Sequence, residues 1–186
     1  MHNLMVDIET MGTRAGAPVL AVGAIFFEPA TGELGSQFYQ VATLRSEMEN
    51  GAVPDADTVM WWMTQSDLAR ATLLNCPLHI NELLVNLYSF SESECNAANI
   101  QFWGNGSGFD NVLLIDAYRR AGLRPFWNFW NDRDVRTIVE LGRQIGIDPK
   151  RDMPFAGERH NALDDAIHQA KYVSAIWQRL IPTTSD

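Results

Sequence analysis

The chain has 186 residues, 46% of them hydrophobic, with six Trp and a formal net charge of −9. That length and apolar content suit a single domain, residues 1–186, with one core, and exclude a disordered chain. The absence of any apolar run near the roughly 18 residues of a membrane span excludes a transmembrane helix.

The acidity speaks against a protein that holds a polyanion through its overall charge. The charge is uneven, however: residues 1–118 carry 14 acidic and 3 basic side chains, residues 119–186 carry 9 and 11. A locally basic face on an acidic protein is therefore open. The N-terminus "MHNLMVDIET" lacks a basic leader and enters a strand almost at once, so it does not read as a signal peptide. Cys76 and Cys95 are the only cysteines and lack Cys-x-x-Cys spacing. Free thiols in a cytoplasmic protein are the expectation.

Residues 3–8 read as a first strand. "VLAVGAIFFE" (19–28), rich in β-branched and aromatic residues, is a second, and "LGSQFYQV" (34–41) returns after the turn "PATGE" as a third. These three form an antiparallel meander. "DADTVMWWMTQSDLARATLL" (55–74) reads as one or two helices with Asp55 or Asp57 as N-cap. Residues 80–93 form an amphipathic helix with Leu83, Leu84, Leu87 and Phe90 at helical spacing. "NIQFWGN" (99–105) is a short strand, 109–122 a helix that Gly122 can terminate, and 130–146 an extended entry followed by a helix. The last helix, 161–180, has an apolar stripe of Leu163, Ala166, Ile167, Ala170, Val173 and Trp177. The order predicts an α/β fold, a mixed sheet with helices on its faces.

Within β-strand spacing, Asp7 and Glu9 share one face of the first strand. The neighbours are apolar on both faces, as in a central strand, and the acids sit at its C-terminal end, where ligands gather in open α/β sheets. Two buried carboxylates repel and lose solvation. A divalent cation removes the repulsion, and hard oxygen donors suit Mg²⁺ or Mn²⁺ rather than Zn²⁺. A second acid, Asp110, closes "GNGSGFD" (104–110), where Phe109 can anchor the turn in the core. Alone, Asp110 reads as an ordinary first-turn acid of a helix. A third group, "HNALDDA" (160–166), opens the last helix. His160 stands near its cap, and Asp164 and Asp165 both border the core side, so helical geometry does not choose between them. His79 and His168 read as structural.

Asp-x-Glu, Asn-x3-Phe-Asp and His-x4-Asp occur in that order along the chain. This resembles the three motifs of the DEDDh family of 3′→5′ exonucleases, whose fold is ribonuclease-H-like. "TVMWWMTQSDLAR" (58–70) and "WNDRDVRT" (130–137) are similar to segments of phage and prophage exonucleases related to phage exonuclease A, and of bacterial exoribonuclease-like relatives. The resemblance implies a five-stranded mixed sheet, the meander followed by parallel strands. It also implies metal ligands Asp7, Glu9, Asp110 and Asp165, the last chosen over Asp164 by its spacing to Ala166, and His160 as general base. The implied cofactors are two divalent cations, Mg²⁺ or Mn²⁺, with Asp7 bridging, Glu9 and Asp165 on the metal that activates water, and Asp110 on the other.

The implied partner is a nucleic acid with a free 3′ end, single-stranded DNA or RNA, with DNA slightly favoured by the phage-like segments. A homodimer is compatible with the chain and a membrane partner is not. Candidate substrate contacts are Thr10 and Met11, whose backbone would abut the terminal nucleotide, Asn105 and Phe109 of the second motif, and Trp61 with Gln65. Trp61 and Trp62 are adjacent and cannot face one way on a helix; one can join the core while the other stacks on a base. Trp127, Phe129 and Trp130 read as core. Arg133 and Arg136 are candidates for phosphate contacts, against pairing with Asp132 or Asp134. Two other classes stay open: a binding module that does not cleave, and a phosphoesterase for small nucleotides. Metal-dependent cleavage, and its dependence on substrate length, separate them.

Overall fold

The structure, a computed structural model, describes residues 1–75 and 77–182. Three strands, β1 (Asn3–Thr10), β2 (Val19–Glu28) and β3 (Glu33–Val41), are followed by four helices, α1 (Leu44–Glu49), α2 (Ala56–Met63), α3 (Asp67–Thr72) and α4 (Ile80–Glu94). Then come β4 (Gln101–Gly104), α5 (Asp110–Arg120), β5 (Asp132–Asp134), α6 (Val135–Gln144), α7 (Pro149–Asp152) and α8 (Ala162–Leu180). The sheet order is β3-β2-β1-β4-β5. β1–β2 and β2–β3 are antiparallel, β1–β4 and β4–β5 parallel. This is the mixed sheet flanked by helices that the order of elements predicts, with the five strands that the resemblance implies.

Alternation along β1 sorts its side chains between two cores. Leu4, Val6 and Ile8 join α4 and α5 on one face, with Leu83, Leu84, Leu87, Leu113 and Leu114. Met5 faces the other side, with Trp103 and the α6 and α8 residues Val139, Ala166, Ala170 and Val173. Asp7 and Glu9 share the Met5 face, so they lie under α8. A third apolar group joins Trp62, Ala69 and Leu73 of the α2–α3 segment to the start of β2 and the end of β3.

Two glycines set the distances. Gly23 lies opposite Asp7 in the β1–β2 register. A Cβ there would fall 2.2 Å from the backbone of Ala162 and Leu163, so only glycine lets the α8 N-terminus settle onto β2 beside β1. Gly104 ends β4 opposite Val6. Its Cβ would meet Asn111 Oδ1 at 2.3 Å and Asp110 Cβ at 3.0 Å, so α5 closes on the strand only over glycine. β1 thus runs past the end of β4, and Asp7 to Thr10 project beyond it.

The 55–74 segment divides into two helices, each capped from its own sequence: Asp55 accepts from the N–H of Asp57 and Thr58, and Ser66 from that of Ala69. Gly122, with φ +71°, follows α5. The sequence reading passed over α1, a six-residue helix capped by Thr43 with no apolar stripe. It also passed over α7, which Pro149 opens. Phe129 and Trp130 are a correction: they are 73% and 64% exposed, because the turn before β5 lies at the sheet edge, whereas Trp127 is buried and stacked on Phe102 at 3.8 Å. Cys95 carries a free thiol; Cys76 lies outside the described residues. No helix among the described residues is long and apolar enough to cross a membrane.

Candidate active site

The C-terminal end of β1, the turn after β4 and the N-terminus of α8 converge. Glu9, His160 and Asp165 each offer a ligand atom, all within 4.8 Å of one another. Asp7 Oδ1 accepts a 2.7 Å hydrogen bond from Gln169 Nε2, one helical turn beyond Asp165 on α8. Asp110 is buried, and its Oδ2 has no hydrogen-bond partner. Asp165 and Asp164 separate here: Asp165 Oδ2 accepts from the backbone N–H of His160 at 2.8 Å, while Asp164 Oδ2 accepts from that of Glu158 and lies against Gly157. The helix turns Asp164 toward the preceding loop and Asp165 toward Glu9.

The electrostatics are those of unpaired acids. Burial raises Asp7 well above the usual carboxylate range, and the charges of Asp110, Glu9 and Asp165 add to the rise while Gln169 opposes it. Glu9 is pushed up to about 9 by burial and by Asp165 and Asp110. Asp110 rises to about 7 through burial, held back by its own N–H, that of Asn105 and the charge of Arg136. Asp165 is raised by burial and lowered by the His160 N–H. Four acids that hinder one another's ionisation, one with an orphaned buried oxygen, fit a divalent cation. His160 holds φ +65°, the one positive φ outside glycine among the described residues. Such a conformation costs free energy and persists where its surroundings impose it. Here Asp165 holds its N–H, and its ring meets Trp61 edge-to-face at 5.1 Å and Trp62 at 6.3 Å.

Beside Glu9 opens a cavity of about 610 Å³ whose wall includes Thr10, Arg14, Thr58, Trp61 and Phe109. Both indoles border the cavity, but Trp62 is 4% exposed and Trp61 43%, so Trp62 is packed as structure while Trp61 stands open. Trp62 Nε1 donates to the Thr10 carbonyl at 2.9 Å, tying α2 to the end of β1.

The other candidates fall out unevenly. Thr10 lines the cavity, its hydroxyl donating to the Gly12 carbonyl. Met11 does not: its N–H donates to Pro18, its carbonyl accepts from Asp55, and its side chain joins the apolar group beneath Trp62. Its backbone is thus spent on the β1–β2 loop. Gln65 is also drawn away, its amide donating to the Trp61 carbonyl at the end of α2. The buried Asn105 Oδ1 has no partner, while its carbonyl accepts from Arg136 Nε at 3.1 Å. Neither Arg133 nor Arg136 pairs with Asp132 or Asp134. Asp132 accepts from Asn111 and Trp127, and Asp134 from Ser107 and Thr137. His168 packs between Phe155 and Tyr172, and His79 caps α4.

Sequence reasoning missed Gln169, although its place one turn after Asp165 on the core side was visible. It also missed Thr13 and Arg14, which lie in a loop outside the quoted motifs, and Thr58, which reaches the cavity from the first turn of α2.

Residues 2–177 match the family model of the Rv2179c-like 3′–5′ exoribonuclease domain. The chain belongs to this family. It is a 3′–5′ exonuclease, a phosphodiester hydrolase. An exodeoxyribonuclease of Enterobacteria phage T4 is 27% identical over an alignment of 165 positions, covering 75% of this chain and 71% of that protein. In fold, the exonuclease resembles the nuclease domain of 3′hExo, a DEDDh family member bound to rAMP, with a TM-score of 0.55 at 14% identity, covering 96% of this chain and 91% of that one. It also resembles a zinc-bound E. coli ExoI–ssDNA complex, with a TM-score of 0.70 at 14% identity. There it covers 97% of this chain but spans only 41% of the ExoI chain.

Proposed function

We propose that residues 1–186 form one exonuclease unit that removes nucleoside 5′-monophosphates from the 3′ end of single-stranded nucleic acid, with Asp7, Glu9, Asp110, Asp165 and His160 as its catalytic set. The observation that carries this is the close approach of Glu9, Asp165 and His160 beside an aromatic-walled cavity sized for a nucleotide. Asp7, Glu9, Asp110 and Asp165 would hold two divalent cations, Mg²⁺ or Mn²⁺, which would supply charge stabilisation for the attacking and leaving oxygens.

The chain's own residues do the rest. Asp7 stands between Glu9 and the apolar core, oriented by Gln169. Asp165 serves twice, as a ligand and as the acceptor that fixes the His160 backbone. His160 takes a proton from the attacking water as its oxygen bonds to phosphorus; the P–O3′ bond breaks, and the departing O3′ takes a proton from solvent to become the 3′-hydroxyl of the shortened strand. Trp61 and Phe109 offer apolar faces to the terminal nucleotide, and Trp62 keeps the Thr10 carbonyl in place. The family description speaks of RNA and the phage relative's name of DNA, so both enter the test.

The test is a gel assay on 5′-labelled single strands of DNA and RNA of one sequence, with Mg²⁺, with Mn²⁺ and with EDTA. A metal-dependent ladder shortening from the 3′ end is expected, and the faster strand names the preferred sugar. Internal cuts, or shortening unaffected by EDTA, contradict the proposal.

A further inference from the structure

Arg136 opens α6 directly after β5, exposed at the rim of the sheet. Its Nε donates to the Asn105 carbonyl, and its guanidinium carbon would lie 3.1 Å from a Cβ at Gly106. Gly106 has φ +109°, a backbone conformation that favours glycine, and the guanidinium lies against it. The guanidinium is thus anchored by one edge to the turn that delivers Asp110. Its two terminal nitrogens are free of any ion pair among the described residues. A guanidinium held by its Nε with its outer edge free is prepared for a phosphate.

The order of elements along the rim gives that phosphate a position. The cavity lies on the β1–β2 side, because α2 rests on the start of β2 and the end of β3. The acid cluster is at the end of β1. Asp110 and Asn105 follow β4, and Arg136 follows β5, the far edge. A strand whose terminal nucleotide fills the cavity and whose scissile phosphate meets the acids must leave toward β4 and β5. Resting on the proposed function, we infer that Arg136 grips the phosphate one nucleotide 5′ of the scissile bond and so sets the direction in which the strand crosses the sheet rim. An acidic protein needs such a local cation, because its overall charge repels the substrate.

The experiment uses the full chain with Mn²⁺ and single-stranded oligomers carrying one neutral methylphosphonate at successive phosphates. Initial rates of terminal nucleotide release are compared for the wild type and Arg136→Gln. In the wild type, neutralising the phosphate 5′ of the scissile one should lower kcat/KM by about tenfold, the size of a lost charged hydrogen bond, mainly through KM. Arg136→Gln should show a similar loss on unmodified strands and no further loss from that methylphosphonate. The dependence of KM on salt should shallow by about 0.7 in log–log slope, as for one lost phosphate contact on a single strand. Equal losses from the same methylphosphonate in both proteins, or a largest loss at another of the phosphates 5′ of the scissile one, overturn the inference. The wild-type scan stands whether or not the variant folds. A wild type that leaves the unmodified oligomer whole overturns the proposed function itself.

Discussion

Two groups of buried charge sit in this molecule and are built in opposite ways. Glu47 on α1 is fully buried. Its Oε1 accepts from the Val19 N–H at 2.7 Å, and Arg120 of α5 reaches its other oxygen at 3.0 Å. Arg120 also pairs with Asp116, which accepts from the Gly16 N–H at 2.8 Å. Burial pushes Glu47 up, and every hydrogen bond around it pushes back. In the cluster of Asp7, Glu9, Asp110 and Asp165, the neighbouring acids add to the effect of burial on Asp7 and Glu9. The first group holds the β1–β2 loop in place. The second carries a stability cost that a bound cation would relieve. Buried charge paired with an opposite charge is architecture in this protein, and buried charge with no ion-pair partner is the mark of the candidate site.

The largest contrast should come from neutralising one member of each. Asp7→Asn should lower the nuclease rate by about a thousandfold, while the melting temperature of the metal-free protein stays level or rises, because a repulsion has gone; a chelator-treated thermal melt beside the gel assay checks both. Arg120→Met should do the reverse to stability. It leaves Glu47 buried and unpaired, costing about 3–5 kcal/mol, a fall on the order of 10 °C in a chain of this size by calorimetry. His160→Ala should cut kcat by about a hundredfold or more with little change in KM, measured in single-turnover reactions. If KM moves instead, His160 binds rather than takes a proton. The smallest effect belongs to Trp62→Phe. It keeps the apolar contact but orphans the Thr10 carbonyl, costing about 1–3 kcal/mol, a few degrees in the same melt.

The same division explains what could be read in advance. Asp7, Glu9, Asp110 and Asp165 stand at strand ends and helix starts, and their spacing along the chain is their signal. Glu47 gave none, because its partners Val19 and Arg120 lie 28 and 73 residues away and its helix has no apolar stripe. Met11 was assigned through the strand-end backbone that the resemblance implies, and Gln65 by its place one turn beyond Trp61. The structure spends both on local hydrogen bonds, a choice that depends on where the β1–β2 loop and the α2 C-terminus come to rest. Phe129 and Trp130 read as core because they flank a strand, and their exposure follows from β5 being an edge. Gly23 and Gly104 were visible as letters, but their function, letting α8 and α5 close on the sheet, needs the partner helix in view.

The most direct test of the central claim is the melting temperature of the metal-free chain between pH 5 and pH 9, with and without Mn²⁺. Glu9 has its folded value raised from 4.5 to about 9, and Asp110 from 3.8 to about 7. Each therefore gives its full stability below its unfolded value and loses it as the pH climbs toward its folded value. Metal-free stability should fall across this window. Mn²⁺ should raise the melting temperature, and more at pH 9 than at pH 5, where protons compete for the same oxygens. A melting temperature that ignores both pH and Mn²⁺ would contradict the reading of these four acids as an unpaired cluster built for metal.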